Sequence, residues 1–235
     1  HKFTFTPHFK AEGHSLMVMG QYQYSQGNSS SQNSGTYMMP TTGDITSSLG
    51  GGIISSFGSG AGEWKSQDLT FQAHYSYKGK YSVTSSLRGD CKTAFGPARR
   101  WGFFPSLSFR WNISDEPFME PVRWLSMLSI RPSWGITGNA PGGEGLFRSK
   151  YATGGSYMGQ VSVAPTNIRL VDLRWEKKTS YQVGFDFGFF DNKLSGNVDI
   201  YTATVKDLKN DGYKIPTSSG YTNLSCFNRG SMRNQ

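Results

Sequence analysis

The sequence has no apolar run of about 18 residues, which is the minimum length of a transmembrane helix. Its 235 residues include only two cysteines, Cys91 and Cys226, which are too few for a disulfide scaffold and lack metal-site spacing. Only 17% of the residues are charged, although the mean hydropathy is as low as -0.49. These shortages exclude helical membrane proteins and disulfide-rich secreted domains. They leave a β-barrel open, because alternating strands dilute the hydropathy.

Runs of basic residues are also missing, although the net charge is +8. The 24 lysines and arginines are scattered, and the only doublets are Arg99-Arg100 and Lys177-Lys178. A nucleic-acid partner is therefore not expected, since such proteins concentrate their basic residues on one face or helix. Single basic residues near strand ends instead favour contacts with the phosphates of anionic lipid or lipopolysaccharide.

No arrangement typical of a catalytic or metal site is recognisable. The four histidines lack the spacing of metal ligands. Asp115 and Glu116 are adjacent, so their side chains point apart, and the proline that follows favours a turn over an acid/base pair. We therefore expect neither an enzyme nor a cofactor-dependent protein.

Aromatic residues, by contrast, are abundant at 14%, and 29 residues are glycine, a composition typical of β-proteins. The clearest pattern lies between Phe103 and Ile113, where apolar and polar residues alternate after Phe104. A period of two places the two sets on opposite faces of a strand. The segment has about the 9–11 residues that a tilted membrane-crossing strand needs.

The same alternation recurs along the chain and predicts further strands. They cover residues 3–9, 15–24, 67–77, 81–89, 103–113, 123–137, 181–190 and 194–204, with the start of another near the C-terminal end. Sequence neighbours are expected to pair antiparallel, without crossovers. The apolar set predicted to face lipid includes Leu107, Phe109, Phe185, Phe187, Val198 and Ile200. The polar set predicted to face the lumen includes Arg110, Gln182, Asp186 and Asp199.

Short and longer connections alternate between these strands. The short ones are 11–14, 78–80, 114–122 and 191–193; the longer ones are 25–66, 90–100, 139–175 and 206–224. This alternation is typical of outer-membrane barrels, which have short periplasmic turns and longer external loops. We therefore predict an all-β, antiparallel, up-and-down transmembrane β-barrel segment of about eight to nine strands. A soluble β-sandwich is the alternative, but its connections need not alternate in length.

Several ordered blocks of the chain resemble SusC/RagA-like TonB-dependent outer-membrane receptors. They are LRGDCKTAFGPARRWGFFPSLSFRWNISDEPF, SIRPSWGITGN, LRWEKKTSYQVGFDFGFFDNKLSGNVDIYTATVKDL and NRGSMRNQ. The resemblance covers roughly residues 65–235. One departure is Gly89-Asp90-Cys91, where the family usually reads Ala-Asp-Gly.

The resemblance implies a plugged barrel of about 22 strands. Such a receptor would import oligosaccharides or peptides across the outer membrane of a Bacteroidetes-type bacterium. It would use energy delivered by the TonB complex and a SusD-like surface lipoprotein as an external lid. A signal peptide, TonB-contacting segment, plug domain and closing strand are not recognised within residues 1–235, so an internal barrel piece is expected. A passive porin, a structural outer-membrane protein and a soluble β-rich adhesin remain alternatives.

Aromatic residues of the longer loops are the candidate contacts for substrate and lid, because amphipathic rings suit wet recognition surfaces. They are Tyr37, Trp64, Phe147, Tyr151, Tyr157, Tyr213 and Tyr221. For any one of these side chains, the alternative is packing within its own loop or membership of an interfacial aromatic girdle.

Overall fold

A computed structural model describes residues 1–10, 12–37, 53–122, 124–140, 142–210, 213–214, 216–221, 223–224 and 227–234. Its main element is a nine-stranded sheet. With all strands numbered in chain order, the sheet contains β1 Lys2–Phe5, β2 His14–Tyr37, β3 Ile53–Tyr77, β4 Tyr81–Lys92, β5 Trp101–Asn112, β6 Leu125–Asn139, β9 Glu176–Phe189, β10 Leu194–Lys206 and β15 Ser231–Asn234. Six short strands lie in the connections: β7 Tyr151–Tyr157, β8 Gln160–Pro165, β11 Lys209–Asn210, β12 Tyr213–Lys214, β13 Asn223–Leu224 and β14 Phe227–Asn228.

The strand order confirms the predicted up-and-down topology. The order in the sheet is β1-β2-β3-β4-β5-β6-β9-β10-β15, and each neighbouring pair is antiparallel. The interruption between β6 and β9 is a separate antiparallel hairpin of β7 and β8. The open sheet is therefore a meander, which is how a segment of an up-and-down barrel is built.

The helices of the described residues are four short 3₁₀ turns, Pro97–Arg99, Ile113–Asp115, Pro117–Met119 and Thr217–Ser219. Two of them, Ile113–Asp115 and Pro117–Met119, lie in the short connection between β5 and β6. None of the helices that the structure describes is long and apolar enough to cross a membrane.

All short connections lie at one end of the sheet, here called the short-turn end. Lys78, Asp191 and Asn192 have positive φ there, as tight turns between antiparallel strands require. Glu116 completes this end by accepting hydrogen bonds from the Tyr81 hydroxyl at 2.5 Å and from Trp111 Nε1 at 3.2 Å. The hydrogen bond from Tyr81 is the largest of the effects that hold the pKa of the Glu116 carboxyl below its ordinary value.

The prediction of a loop over residues 25–66 is wrong for most of its length. β2 continues to Tyr37 and β3 begins at Ile53, and their ladder pairs Ser25 with Ser66 and Tyr37 with Ile53. Residues 38–52 lie outside the described residues. The serine- and glycine-rich composition favours a loop, but a two-stranded ladder needs only backbone N–H and C=O groups.

The two faces of the sheet differ chemically as predicted. On one face, here called the polar face, Arg131 pairs with Asp186 at 2.7 Å and Gln182 donates to Asp199 at 3.1 Å. Arg110 reaches the same group, 3.5 Å from the Asp186 carboxylate. All four residues predicted to face the lumen therefore belong to one network.

The opposite face, here called the apolar face, carries the predicted lipid-facing side chains. Leu107, Phe185, Val198 and Ile200 are exposed there, as is expected for strands whose solvent is hydrocarbon. Phe109 lines a groove on this face, and the Phe187 ring lies 5.5 Å from that of Phe189.

Aromatic rings border the apolar face at both ends. Tyr77, Tyr81 and Trp111 stack in a row at the short-turn end, with ring centroids 6.4 and 6.3 Å apart. Trp101 and Phe103 stack at the other end of β5. Ten residues separate Trp101 from Trp111, or about 33 Å along the strand, and a tilt of about 40° leaves about 25 Å. That height matches the apolar band of an outer-membrane barrel.

Candidate ligand-contact site at the long-connection end

A small aromatic core closes the end of the sheet opposite the short turns. Phe95, Phe104, Leu146, Leu173 and Trp175 are buried and form one cluster, here called the rim core. The Trp175 ring stacks on Phe95 at 4.6 Å between centroids and meets the edge of Phe104 at 5.4 Å. The rim core thus fastens two connections, 93–100 and 140–175, to the end of β5.

Buried polar groups fix the path of the longer connection. Asn167 is buried; its Oδ1 accepts from the Lys150 backbone N–H at 2.7 Å, and its Nδ2 donates to the Arg148 carbonyl at 3.0 Å. One side chain therefore ties the two sides of the β7–β8 hairpin together at its base. A hairpin held in this way projects from the rim as a unit.

An exposed ion-pair group ties the same connection to its neighbours. Asp172 contacts Arg174 at 2.5 Å and Arg99 at 3.0 Å. The hydrogen bond from Arg174, followed by that from Arg99, holds the pKa of the Asp172 carboxyl below its ordinary value. Asn228 continues the network, because its Nδ2 donates to the Arg174 carbonyl at 2.9 Å. The connection between β10 and β15 is thereby joined to the connection between β6 and β9.

A cleft of about 660 Å³ lies between β3 and the rim connections. Charged and polar residues form most of its lining, and Phe147 supplies an aromatic ring. The charged and aromatic residues of the lining are Glu63, Lys65, Arg100, Glu144, Phe147, Arg148 and Lys150. Four of them are basic and two are acidic. The cleft can therefore offer one ring for stacking and cations for an anionic or strongly hydrogen-bonding ligand.

The sequence-predicted aromatic residues divide between this cleft and more distant positions. Phe147 lines the cleft, and the Arg148 guanidinium lies 5.2 Å from its ring centroid. Tyr151 follows the cleft residue Lys150 directly and is 66% exposed. Trp64 lies between Glu63 and Lys65, remains 44% exposed, and covers Gly27 so closely that a Cβ there would overlap its ring.

The other four candidates belong to other elements and turns of the chain. Tyr37 ends β2 opposite Ile53, and Tyr157 ends β7 opposite Gln160. Tyr213 lies on β12 opposite Leu224, and the backbone N–H of Tyr221 donates to Ser219 Oγ at 3.3 Å. The side chains of Tyr37, Tyr157 and Tyr213 lie outside the described part of the structure. All seven residues stay candidate contacts, and Phe147 is the one whose described side chain lines the cleft.

Sequence reasoning missed the charged residues of the cleft and the rim core. The charged residues are scattered singly over positions 63–150, so no spacing marks them as a group. One signal for the rim core was present, since Phe104 is apolar on the otherwise polar face of β5. Its burial against Trp175 explains this exception.

Known proteins share this architecture. The model of the family described as TonB dependent receptor-like, beta-barrel matches residues 1–235. TonB-dependent receptor P39 of Formosa agariphila is 35% identical over 161 residues, which are 68% of this chain and 15% of that protein. TonB-dependent receptor SusC of Bacteroides thetaiotaomicron is 33% identical over 168 residues, which are 68% of this chain and 17% of that protein. The chain thus spans only a small part of these relatives.

Solved structures agree with the fold. A structure of the RagAB peptide importer in the closed-closed state superimposes with a TM-score of 0.83 at 23% identity, covering 99% of this chain and 26% of that chain. A second structure, of the RagAB peptide transporter, gives a TM-score of 0.79 at 24% identity, covering 99% and 25%. The antiparallel meander, its two contrasting faces and the match of the family model over the full sequence agree: the chain belongs to the family of TonB-dependent receptor-like β-barrels.

Proposed function

We propose that this chain is a wall segment of a TonB-dependent outer-membrane transporter. The transporter imports glycans or peptides in a Bacteroidetes-type bacterium, together with a SusD-like surface lipoprotein. Residues 1–235 supply about nine strands of a larger barrel, whose plug domain and TonB-contacting segment belong to the rest of the protein. The single observation that carries the proposal is the match of the receptor family model to the whole chain.

The two faces of the sheet support the placement in a membrane. The apolar face, with aromatic rings at both ends, has the pattern of a lipid-exposed wall, and the polar face has that of a hydrated lumen. The long-connection end then faces the outside. A passive porin has the same two faces, so the dependence of uptake on TonB has to separate the two functions.

The cleft of the long-connection end is proposed as a first contact for substrate. A ring can stack on a sugar or a peptide side chain, and surrounding cations can hold hydroxyl, carbonyl or carboxylate groups. Phe147 supplies the ring and Arg148 and Lys150 supply the charges. The lipoprotein is proposed to close over the same connections, because it has to cover the mouth that they surround.

Uptake by the full-length receptor in its native outer membrane tests this function. Wild-type cells are expected to import substrate only when TonB is present, whereas a passive porin would work equally without it. A Phe147→Ala/Arg148→Ala double variant is expected to lower uptake at limiting substrate. The matched control is Phe118→Ala, which removes an exposed ring at the short-turn end. Equal uptake by the double variant and the control would exclude the cleft as a contact site.

Removal of the β7–β8 hairpin tests the lid contact. A deletion of residues 151–165 spares Leu146, Leu173 and Trp175, so the rim core and the barrel are expected to remain folded. Pull-down of the surface lipoprotein from the same membranes is then expected to fall. Unchanged pull-down and unchanged uptake would show that this hairpin takes part in neither contact.

A further inference from the structure

An apolar groove of about 700 Å³ crosses the apolar face of the sheet. It spans β5, β6, β9 and β10, and one basic residue from β15 completes it. The lining includes Leu107, Phe109, Trp134, Val183, Ile200 and Arg233. A groove that joins hydrocarbon side chains to a guanidinium is amphipathic, and a membrane lipid has the same division between acyl chain and headgroup.

Two lysines lie directly opposite each other on the same face, toward the long-connection end. Lys177 of β9 pairs with Lys206 of β10 in the register that also pairs Phe185 with Val198. The ladder between these strands is regular, so a period of two puts both lysines on the apolar face. Both side chains are exposed at the end of the strands that carries the long connections.

Among the described residues, no carboxylate forms an ion pair with Lys177 or Lys206. Within the part of the chain that the structure describes, neither Nζ lies within 4.0 Å of an Asp or Glu oxygen, the limit for an ion pair. Like charges placed directly opposite on a sheet are destabilising. An anion between them would remove the repulsion and would gain hydrogen bonds from both ammonium groups.

Arg233 connects the lysine pair to the groove. It lies opposite Thr204, while Ser231 lies opposite Lys206, so Arg233 is on the apolar face one strand beyond the lysines. Three basic residues on three neighbouring strands thus stand above hydrocarbon side chains. This is the level at which lipid phosphates meet the hydrocarbon core.

We propose that Lys177, Lys206 and Arg233 bind the phosphate of an anionic lipid of the outer leaflet, whose acyl chain lies in the apolar groove. The lipid is of the phosphorylated glycolipid type found on the cell surface. The proposal rests on the outer-membrane placement proposed above, which orients the long-connection end outward. Charge complementarity at the lysine pair and the continuity of Arg233 with the groove identify this occupant.

Lipid binding to the purified full-length receptor tests the site. The receptor is delipidated in detergent and titrated with lipid A, and bound lipid is counted by native mass spectrometry. Lys177→Gln/Lys206→Gln is expected to weaken binding by about fivefold for each lysine removed. The control Lys178→Gln removes the same charge from the same strand but on the polar face, and should bind as the wild type does. Equal affinity in the double variant and the control would overturn the proposal.

Two further ligands distinguish the source of the phosphate. Deacylated lipid A and inorganic phosphate lack the chain that fills the groove and are expected to compete poorly. Displacement of lipid A by millimolar phosphate would show that the groove contributes nothing, and the lipid assignment would be wrong.

Uptake in the same strains separates this site from the proposed function. Retained TonB-dependent uptake with lost lipid binding would support the lipid site while leaving the transporter assignment intact. Retained lipid binding with uptake that does not need TonB would contradict the transporter and support the lipid site.

Discussion

Arg131 on β6 donates to Asp186 on β9 at 2.7 Å, and the two residues lie on the polar face at the centre of a larger network. Ser129, which is buried, donates to the same carboxylate at 2.9 Å, and Arg110 lies 3.5 Å from it. One carboxylate thus balances two guanidinium groups on neighbouring strands. The strands β5, β6 and β9 are held in register by side chains as well as by backbone hydrogen bonds.

Removing this carboxylate is expected to destabilise the barrel. Asp186→Ala removes the carboxylate next to Arg110, leaves Arg131 with only its longer contact to Asp199, and leaves the Ser129 hydroxyl without its acceptor. This loss costs about 1–3 kcal/mol. Asp199→Ala is the milder control, because its contact with Arg131 is longer, at 3.7 Å. Urea unfolding of the full-length receptor in detergent measures both. A larger effect at Asp199 would contradict the central role of Asp186.

The assignment of faces predicts unequal effects of one charge on a single strand. Phe187→Arg places a guanidinium on the apolar face and should destabilise the barrel by about 2–4 kcal/mol if it lies near the membrane midplane. Gln182→Arg on the polar face should have a much smaller effect, since water and Asp199 are available there. Reversible folding and unfolding in lipid vesicles gives the free energy of unfolding of each variant for this comparison. Equal losses would refute the face assignment.

Gly102 is expected to tolerate no side chain. A Cβ at this position would lie 2.6 Å from Phe104 Cζ and 3.0 Å from Trp175 Cδ2, both in the packed rim core. Gly102→Ala should therefore lower the free energy of unfolding by about 1–3 kcal/mol, as overpacking does. Gly142→Ala is the control, because nothing lies within 4 Å of its Cβ position. Protease sensitivity of the 140–175 connection reports the loosening. Unchanged protease resistance of Gly102→Ala would show that the rim core can shift to accept the methyl group.

Acid is expected to loosen the 140–175 connection, because protonation of Asp172 weakens its ion pairs with Arg174 and Arg99. Its pKa is lowered in the folded protein by Arg174 and Arg99, so its contribution is fully present above the ordinary value of 3.8 and is lost as the pH falls through the lower folded value. Hydrogen exchange of residues 166–175, corrected for intrinsic rates, should rise between pH 5 and strongly acidic buffer. Asp172→Asn should exchange faster at pH 5 and change less with acid. A pH response that is the same in the variant would assign the effect to another group.

The strands and their faces were predictable because alternation is a local property. The period of two that separates Phe185 from Asp186 is read within a few residues and agrees with the observed networks. The rim core was not predictable in the same way. Phe95 and Trp175 are 80 positions apart in the sequence and meet only because β6 pairs with β9 and brings the connections together.

The candidate contact residues were the least predictable part. A tyrosine in a long connection carries no local sign of whether it meets a ligand or its own loop. Among the candidates whose side chains the structure describes, Phe147 is the one that lines the cleft. The charged residues that line the cleft come from β3 and from the two connections 93–100 and 140–175. They are brought together by the tertiary structure and not by their spacing in the sequence. The extension of β2 and β3 through serine- and glycine-rich sequence was not predicted, because these residues show no alternation of apolar and polar side chains even where the backbone forms a ladder.

The ribbon formed by β2 and β3 extends well past the rest of the sheet. Their 24 and 25 residues reach about 80 Å, while about 9–11 residues suffice to cross a membrane. β1 covers β2 only at Val18–Gln21, and β4 covers β3 only at Ser66–Tyr77. Lys65 of β3 also accepts a backbone hydrogen bond from Thr93, and Tyr22 of β2 donates one to His1. Further toward the tip, the ladder of the described residues pairs each of the two strands with the other. A two-stranded ladder is marginally stable in water. The ribbon should therefore open locally from its far end, so that amide hydrogen exchange is fastest there and slows residue by residue toward the barrel wall. The part of the ribbon that extends furthest from the barrel is thus the part that stays folded for the smallest fraction of time.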